Sequence, residues 1–282
     1  MAKIIDGQVL AEKIKDKVAE EIYKLGGYRP NLAIILIGER EDSLLYVNLK
    51  EKEAKKIGID THIYKCPVDI AEREVLAMID YLNNDDSIDA ILVQLPLAEK
   101  FHADNIIKAI DPDKDVDRFH PNNLKVLLNT CHHQHVMPPV FEVILKILEN
   151  INCQLKNRQI CIMYNSEIFG KSLAKVLDCQ QARVEIVKAD SKDLIDKAKR
   201  ADILITAIGR AKFVKKNMIK KDAIIIDIGI TKKGKKVFGD VDFKDVKEKA
   251  SYITPVPGGV GPMTIAMLFK NTLELYKQRR KL

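Results

Sequence analysis

The sequence predicts an α/β protein of two domains, on three observations. Helical and strand patterns alternate along most of the chain, the strand runs are continuously apolar, and the rhythm breaks between Asp111 and Pro139. At 282 residues there is room for two domains of roughly 100–200 residues each. Gln8 to Leu25 sets Val9, Ile14, Val18 and Ile22 on one helical face. Leu32 to Ile37, ended by Gly38, has the unbroken apolar character of a strand covered on both sides. Ser43 to Lys56 is the next helix, with Ser43 as its N-cap. His62 to Cys66 reads as a strand, Glu72 to Leu82 as a helix, Ala90 to Gln94 as a buried strand and Ala103 to Ile110 as a helix.

Prolines, asparagines and histidines fill residues 111–139, where the domain junction is expected. The pattern resumes with a helix from Val143 to Glu149 and a strand from Gln159 to Met163. Gly170 then precedes a helix from Lys171 to Leu177. Further strands are Val184 to Val187, Ile203 to Ala207 and Ala223 to Ile228, a doubly wound spacing. A last helix runs from Met263 to Lys277. No internal repeat or low-complexity segment interrupts this order.

Composition narrows the function. Apolar residues make up 46% and charged residues 31% of the chain, as in ordinary globular proteins. No apolar run approaches the ~20 residues that span a bilayer, so no membrane role is expected. The opening Met-Ala-Lys-Ile-Ile-Asp-Gly lacks a secretory core, and a cytoplasmic location is the expectation. Five scattered cysteines without a CxxC pair suggest reduced thiols. The net charge of +7 lies on lysine-rich turns, mostly solvated faces that also favour acidic small molecules. No aromatic residues interleave with those lysines, which argues against nucleic acid.

Four segments carry chemistry. Thr254-Pro-Val-Pro-Gly-Gly-Val-Gly-Pro-Met-Thr264 has three glycines and three prolines, which fix the backbone and keep side chains out of the way. A plain strand-to-helix connection uses such residues too. Tyr46 and Lys50 stand one helical turn apart on one face, a spacing common on helix surfaces. Gln94 follows a buried strand and precedes Pro96, at the edge where open α/β sheets bind ligands. Asp113-Lys-Asp-Val-Asp117 sets carboxylates in the loop after the next helix.

In this order, and with Ile5-Asp-Gly7 and Gly239-Asp-Val-Asp-Phe243, the segments resemble the bifunctional methylenetetrahydrofolate dehydrogenase/methenyltetrahydrofolate cyclohydrolase family over nearly the whole chain. That resemblance implies an N-terminal α/β folate and catalytic domain, residues 1–138, to which the last helix, 264–282, returns. It also implies a Rossmann-type dinucleotide-binding domain over 139–263. Lys50 would be the catalytic lysine, Tyr46 its neighbour in the pterin pocket, Gln94 its holder, and Asp117 the acceptor for the pterin's amino-pyrimidine edge. Val93 and Leu95 would line the pocket, and Pro257, Gly258, Gly259 and Gly261 would floor it. Tetrahydrofolate derivatives are the implied substrates, NADP (with NAD the other candidate) the cofactor, and a homodimer the assembly. A lysine desolvated against an apolar wall can shuttle protons near neutral pH; an arginine cannot.

The second half departs from the family. Its first βα turn normally reads Gly-Arg-Ser or Gly-Ala-Ser, and here Tyr164-Asn165-Ser166 stands there, with Glu167 following and Gly170 kept. Ala189 stands where a phosphate-binding serine is usual, and Arg118 where a glycine follows the aspartate. Gly209, Gly229 and Ile230 remain at cofactor positions. Weak dinucleotide binding with little preference for NADP is therefore expected, unless Lys171 or Lys188 reaches the phosphate. Two alternatives follow: a cyclohydrolase with weak or lost dehydrogenase activity, and a silent folate-binding homologue. Cys131-His132-His133-Gln-His135 has the composition of a metal cluster, but zinc sites usually draw on two separated elements, and no metal is expected.

Overall fold

A computed structural model describes residues 1–131, 136–234 and 236–282. The chain forms two compact units. One comprises Glu12–Val126 and Ile265–Leu282 with a short piece ending at Pro139. The other comprises Met1–Ala11 and Val140–Thr264 with a short piece beginning at Leu127.

In the first unit β2 (Asn31–Ile37) lies between β3 (Asp60–Cys66) and β4 (Ala90–Val93), all parallel. The five inner residues of β2 are buried, which is why its sequence shows no alternation. The chain moves from β2 out to β3 and then back past β2 to β4. The reversal puts a crevice at the carboxyl ends of β2 and β4. Helices α1 (Gly7–Lys24), α2 (Glu41–Lys56), α3 (Glu72–Asn84), α4 (Ala103–Ala109) and α5 (Pro121–Asn129) accompany these strands. Asp6 caps α1, its carboxylate accepting from the backbone N–H of Gln8 and Val9. Helix α2 starts earlier than expected: Arg40 is its N-cap residue, and Ser43 is buried inside the first turn. The expectation failed because a serine looks alike at the cap and one turn in.

The loop after α4 runs beside β4. Ile91 pairs with Asp115, donating to the Lys114 carbonyl (2.7 Å) and accepting from the Val116 N–H. The Lys114 ammonium is fully buried and donates to the Leu82 and Asp85 carbonyls, closing the end of α3. The last helix, α10 (Val260–Arg280), supplies Ile265, Leu268, Phe269, Leu273 and Tyr276 to the core that holds Val18, Ile22, Leu32 and Ile34.

The second unit is a six-stranded parallel sheet, in the order β1 (Lys3–Ile4), β11 (Tyr252–Ile253), β8 (Ile224–Asp227), β7 (Ile203–Ala207), β5 (Gln159–Tyr164), β6 (Arg183–Lys188). Its switch point lies between β5 and β7. Its helices are α6 (Pro139–Asn150), α7 (Glu167–Asp178), α8 (Leu194–Arg200) and α9 (Phe243–Val246), and β9 (Thr231–Lys233) with β10 (Lys236–Phe238) forms a hairpin. Among the described residues no helix is long and apolar enough to cross a membrane.

The cysteines require a correction. Cys131 and Cys179 form a disulfide, so only Cys66, Cys153 and Cys161 are free. Spacing gave no sign of the pair, because the two are brought together across 48 residues of chain. His132, His133 and His135 lie outside the described residues.

Candidate active site

Lys50 sits on α2, and its side chain is only 9% exposed. Its Nζ donates to Oε1 of Gln94 at 2.7 Å. Gln94 follows β4 directly, its own N–H held by the Ile35 carbonyl, so the strand aims the amide at the lysine. Burial lowers the Lys50 pKa below the ordinary lysine value, against the opposing charge of Asp117. Tyr46, one turn earlier, packs half-buried on the core beneath α2. Val93 is buried and Leu95 is exposed.

Asp117 follows two residues after the Asp115 bridge to β4, on the loop that also carries Val116 into the core. Burial pushes its carboxyl up to about 6; Lys50 pulls it down and Asp115 pushes it further up. Asp115 is structural: its carboxylate accepts from the His120 N–H (2.7 Å) and the Asn123 amide (3.1 Å). Arg118 has φ of 60°, a left-handed conformation, and this explains why glycine is usual there. Its guanidinium donates to the Pro112 carbonyl at 2.8 Å, tying the loop to itself. Asn271 on α10 donates from one amide nitrogen to both the Val116 and Met137 carbonyls (3.0 Å each). Neither motif nor periodicity singled Asn271 out. A lone asparagine in a long helix gives no signal until the helix is packed.

The other expected pocket residues lie in the second unit. Gly258 has φ of 101° and its carbonyl accepts from the Gly7 N–H at 2.9 Å. A side chain at Gly7 would collide with the Gly259 carbonyl, which accounts for the Ile5-Asp-Gly7 motif. Pro257 follows a cis peptide bond, and Gly261 is the second residue of α10.

The positions expected to meet a dinucleotide lie at or follow the carboxyl ends of β5, β6, β7 and β8. The Tyr164 ring is buried against Gly170 on α7, so the glycine makes room for the ring that replaced the turn's own glycine. Ser166 caps α7, accepting from the Phe169 N–H. The Asn165 amide donates to the Ile208 carbonyl, joining the ends of β5 and β7. Asp240 is fully buried and accepts from Thr206 Oγ1 (2.9 Å) and from the N–H groups of Ile208 and Arg210 (2.8 Å each). Asp227 accepts from Gly229, Asp240 and Val241, and burial pushes its carboxyl up to about 7. These two carboxylates hold Ile208-Gly209-Arg210 and Gly229-Ile230. Sequence reading noted the Gly239-Asp-Val-Asp-Phe243 motif without assigning Asp240 this work. A separate cleft of about 210 Å³ lies at the opposite, amino ends of the strands, and its Asp202 is already paired with Lys220 (2.6 Å).

Comparison with known proteins decides the family. Residues 5–117 match the model of the tetrahydrofolate dehydrogenase/cyclohydrolase catalytic domain, and residues 138–280 that of its NAD(P)-binding domain. The chain belongs to this family. Proteins named "Bifunctional protein FolD" from Nitratiruptor sp. and Sulfurihydrogenibium sp. are 40% and 42% identical to it, with 99% and 98% of each chain covered. The solved bifunctional FolD of Campylobacter jejuni superimposes with a TM-score of 0.93 at 38% identity, covering 99% of this chain and 100% of that one. The Trypanosoma brucei FolD, complexed with NADP and an inhibitor, gives 0.95 at 31%, covering 100% and 99%. Within the family fold, Lys50, Gln94 and Asp117 converge in one unit, and the turn after β5 and the loop after β7 converge in the other.

Proposed function

We propose that this protein interconverts 5,10-methylene-, 5,10-methenyl- and 10-formyl-tetrahydrofolate, as an NADP-dependent dehydrogenase and a cyclohydrolase. The observation that carries this reading is the buried Lys50–Gln94 pair beside Asp117, in a chain related to the bifunctional enzymes along its full length. In this reading residues 1–138 with 264–282 are the folate half and 139–263 the dinucleotide half, and the enzyme works as a cytoplasmic homodimer. A purely monomeric species in sedimentation would remove the dimer.

The donors at the switch point fit a dinucleotide. Helix α7 has 12 residues and a serine cap, and its N-terminal N–H groups suit a pyrophosphate. A Cβ added at Gly209 would meet nothing within 4 Å, which leaves open space over the end of β7. Ser166, Gly170, Gly209, Gly229 and Ile230 would hold NADP there, with the backbone of Tyr164, Asn165 and Ala189 beside it. NADP supplies the hydride acceptor when bound. The negative charge of Glu167, which the sequence set against binding, is taken up by Lys171 (2.6 Å) and Lys188 (3.9 Å). That favours a retained dehydrogenase over its loss.

Hydrolysis falls to the other unit. Asp117 accepts hydrogen bonds from the pterin edge and fixes the ring. Neutral Lys50 takes a proton from the water that attacks the methenyl carbon, forming a tetrahedral adduct. The lysine then returns the proton to nitrogen, the carbon–nitrogen bond breaks as the adduct's hydroxyl forms the formyl carbonyl and releases its proton to solvent, and 10-formyl-tetrahydrofolate remains. Gln94 keeps Nζ in place through both transfers without adding charge. The two activities are assayed separately, with each dinucleotide for the oxidation. Lys50→Met should fold and bind folate while hydrolysis falls about 10²–10⁴-fold. Hydrolysis within a few-fold of the parent would overturn the assignment.

A further inference from the structure

We propose that Arg210 recognises the 2′-phosphate of NADP and sets the preference over NAD; this rests on the dehydrogenase reading above. In a doubly wound domain the group that distinguishes the two cofactors stands near the carboxyl end of the second strand, where a carboxylate meets the 2′-hydroxyl or an arginine meets the 2′-phosphate. Here that place is the end of β6, at Lys188 and Ala189.

The residues expected to serve there are otherwise engaged. Lys188 and Lys171 both face Glu167. Asn165 is uncharged, and its amide is committed to the Ile208 carbonyl. Ala189 has no side-chain donor. Arg210, from the loop after β7, reaches this spot: its Nη1 donates to the Ala189 carbonyl at 3.2 Å. Its guanidinium also lies 5.6 Å from the centre of the Phe213 ring. Among the described residues no carboxylate lies within ion-pair distance of it, and the side chain is exposed.

The placement is built in. Asp240 holds the Arg210 and Ile208 N–H groups, and Asn165 holds the Ile208 carbonyl, so three bonds fix the loop from which the arginine extends. A guanidinium has five N–H donors in a planar fork, and only one is used on Ala189. The rest are free for a phosphate, which the fork matches in a bidentate manner. The charge missing from the β5–α7 turn is thus supplied from the far side of the switch point.

Equilibrium titration of the full-length protein tests this, with NADP, NAD, 2′,5′-ADP and 5′-AMP as probes. The parent should bind NADP more tightly than NAD, and 2′,5′-ADP more tightly than 5′-AMP. Arg210→Gln should weaken NADP and 2′,5′-ADP at least tenfold and shift NAD and 5′-AMP less than threefold. Arg210→Lys should recover part of the preference, and Lys188→Gln should cost NADP less than threefold. An unchanged NADP-to-NAD ratio in Arg210→Gln overturns the proposal and leaves the dehydrogenase standing. So does a larger loss in Lys188→Gln, or a parent that prefers NAD. A parent that binds neither dinucleotide overturns both.

Discussion

Nζ of Lys50 lies 2.7 Å from Oε1 of Gln94, and Nε2 of the same amide is held by the Leu95 carbonyl, also at 2.7 Å. The second bond fixes which end of the amide faces the lysine, so Gln94 offers an acceptor and no charge. A carboxylate in that place would favour the charged ammonium. Gln94→Glu should therefore raise the Lys50 pKa and move the rise of hydrolysis with pH by about 1–3 pH units towards alkali. At neutral pH the mutant should be slower and at high pH should recover. A pH profile that superimposes on the parent's would show that Lys50 is not the titrating base.

Asp117 yields a prediction in acid. Its carboxyl sits at about 6, and the ionised form is the better acceptor for the pterin edge. KM for folate should rise as pH falls through about 6, with kcat changing less. Asp117→Asn should bind folate more weakly at every pH, by about 1.5–3 kcal/mol, and lose that acid limb. Retention of the limb in the mutant would assign it to another group.

Arg118 occupies left-handed backbone that costs a non-glycine residue roughly 1–2 kcal/mol. Glycine relieves that cost but gives up the bond to the Pro112 carbonyl, whereas valine gives up the bond and keeps the strain. Urea unfolding should rank Arg118→Gly above Arg118→Val by at least about 1 kcal/mol. Equal stabilities would mean that the loop relaxes out of this conformation.

The Cys131–Cys179 disulfide is open to direct counting. Alkylation of the unreduced, unfolded protein should modify three cysteines, and five after reduction. Closing a loop with a sequence separation of 48 restricts the unfolded chain, and reduction should lower stability by about 2–4 kcal/mol. Five reactive thiols without reductant would remove the bond.

The central strands of both sheets and most of the long helices were legible, because burial on two faces writes an unbroken apolar run and burial on one face writes a helical period. Lys50, Gln94 and Asp117 were legible as an ordered set of motifs on a helix, at a strand end and in a loop. The two-residue strand β1 was not assigned, since two residues carry no period. Helix α5 was hidden in a stretch rich in proline and asparagine, although Pro121 at its first position is a common start. Asn271, Asp240 and Arg210 act through partners 21 to 155 residues away, and local pattern holds no trace of such distances.

Helix α10 belongs to the core of the first unit, yet it is made only after the whole of the intervening unit. On a ribosome adding about 5–20 residues per second, roughly seven to thirty seconds separate Val126 from Ile265. Through that interval the nascent first unit has no Phe269 to cover Leu32 and Ile34, and no Asn271 to hold the carbonyl before Asp117. The intervening unit can close its own sheet from Val140 onward, joined at the end by the already emerged β1. Lys50 thus emerges early, but the core behind its helix is complete only when α10 arrives.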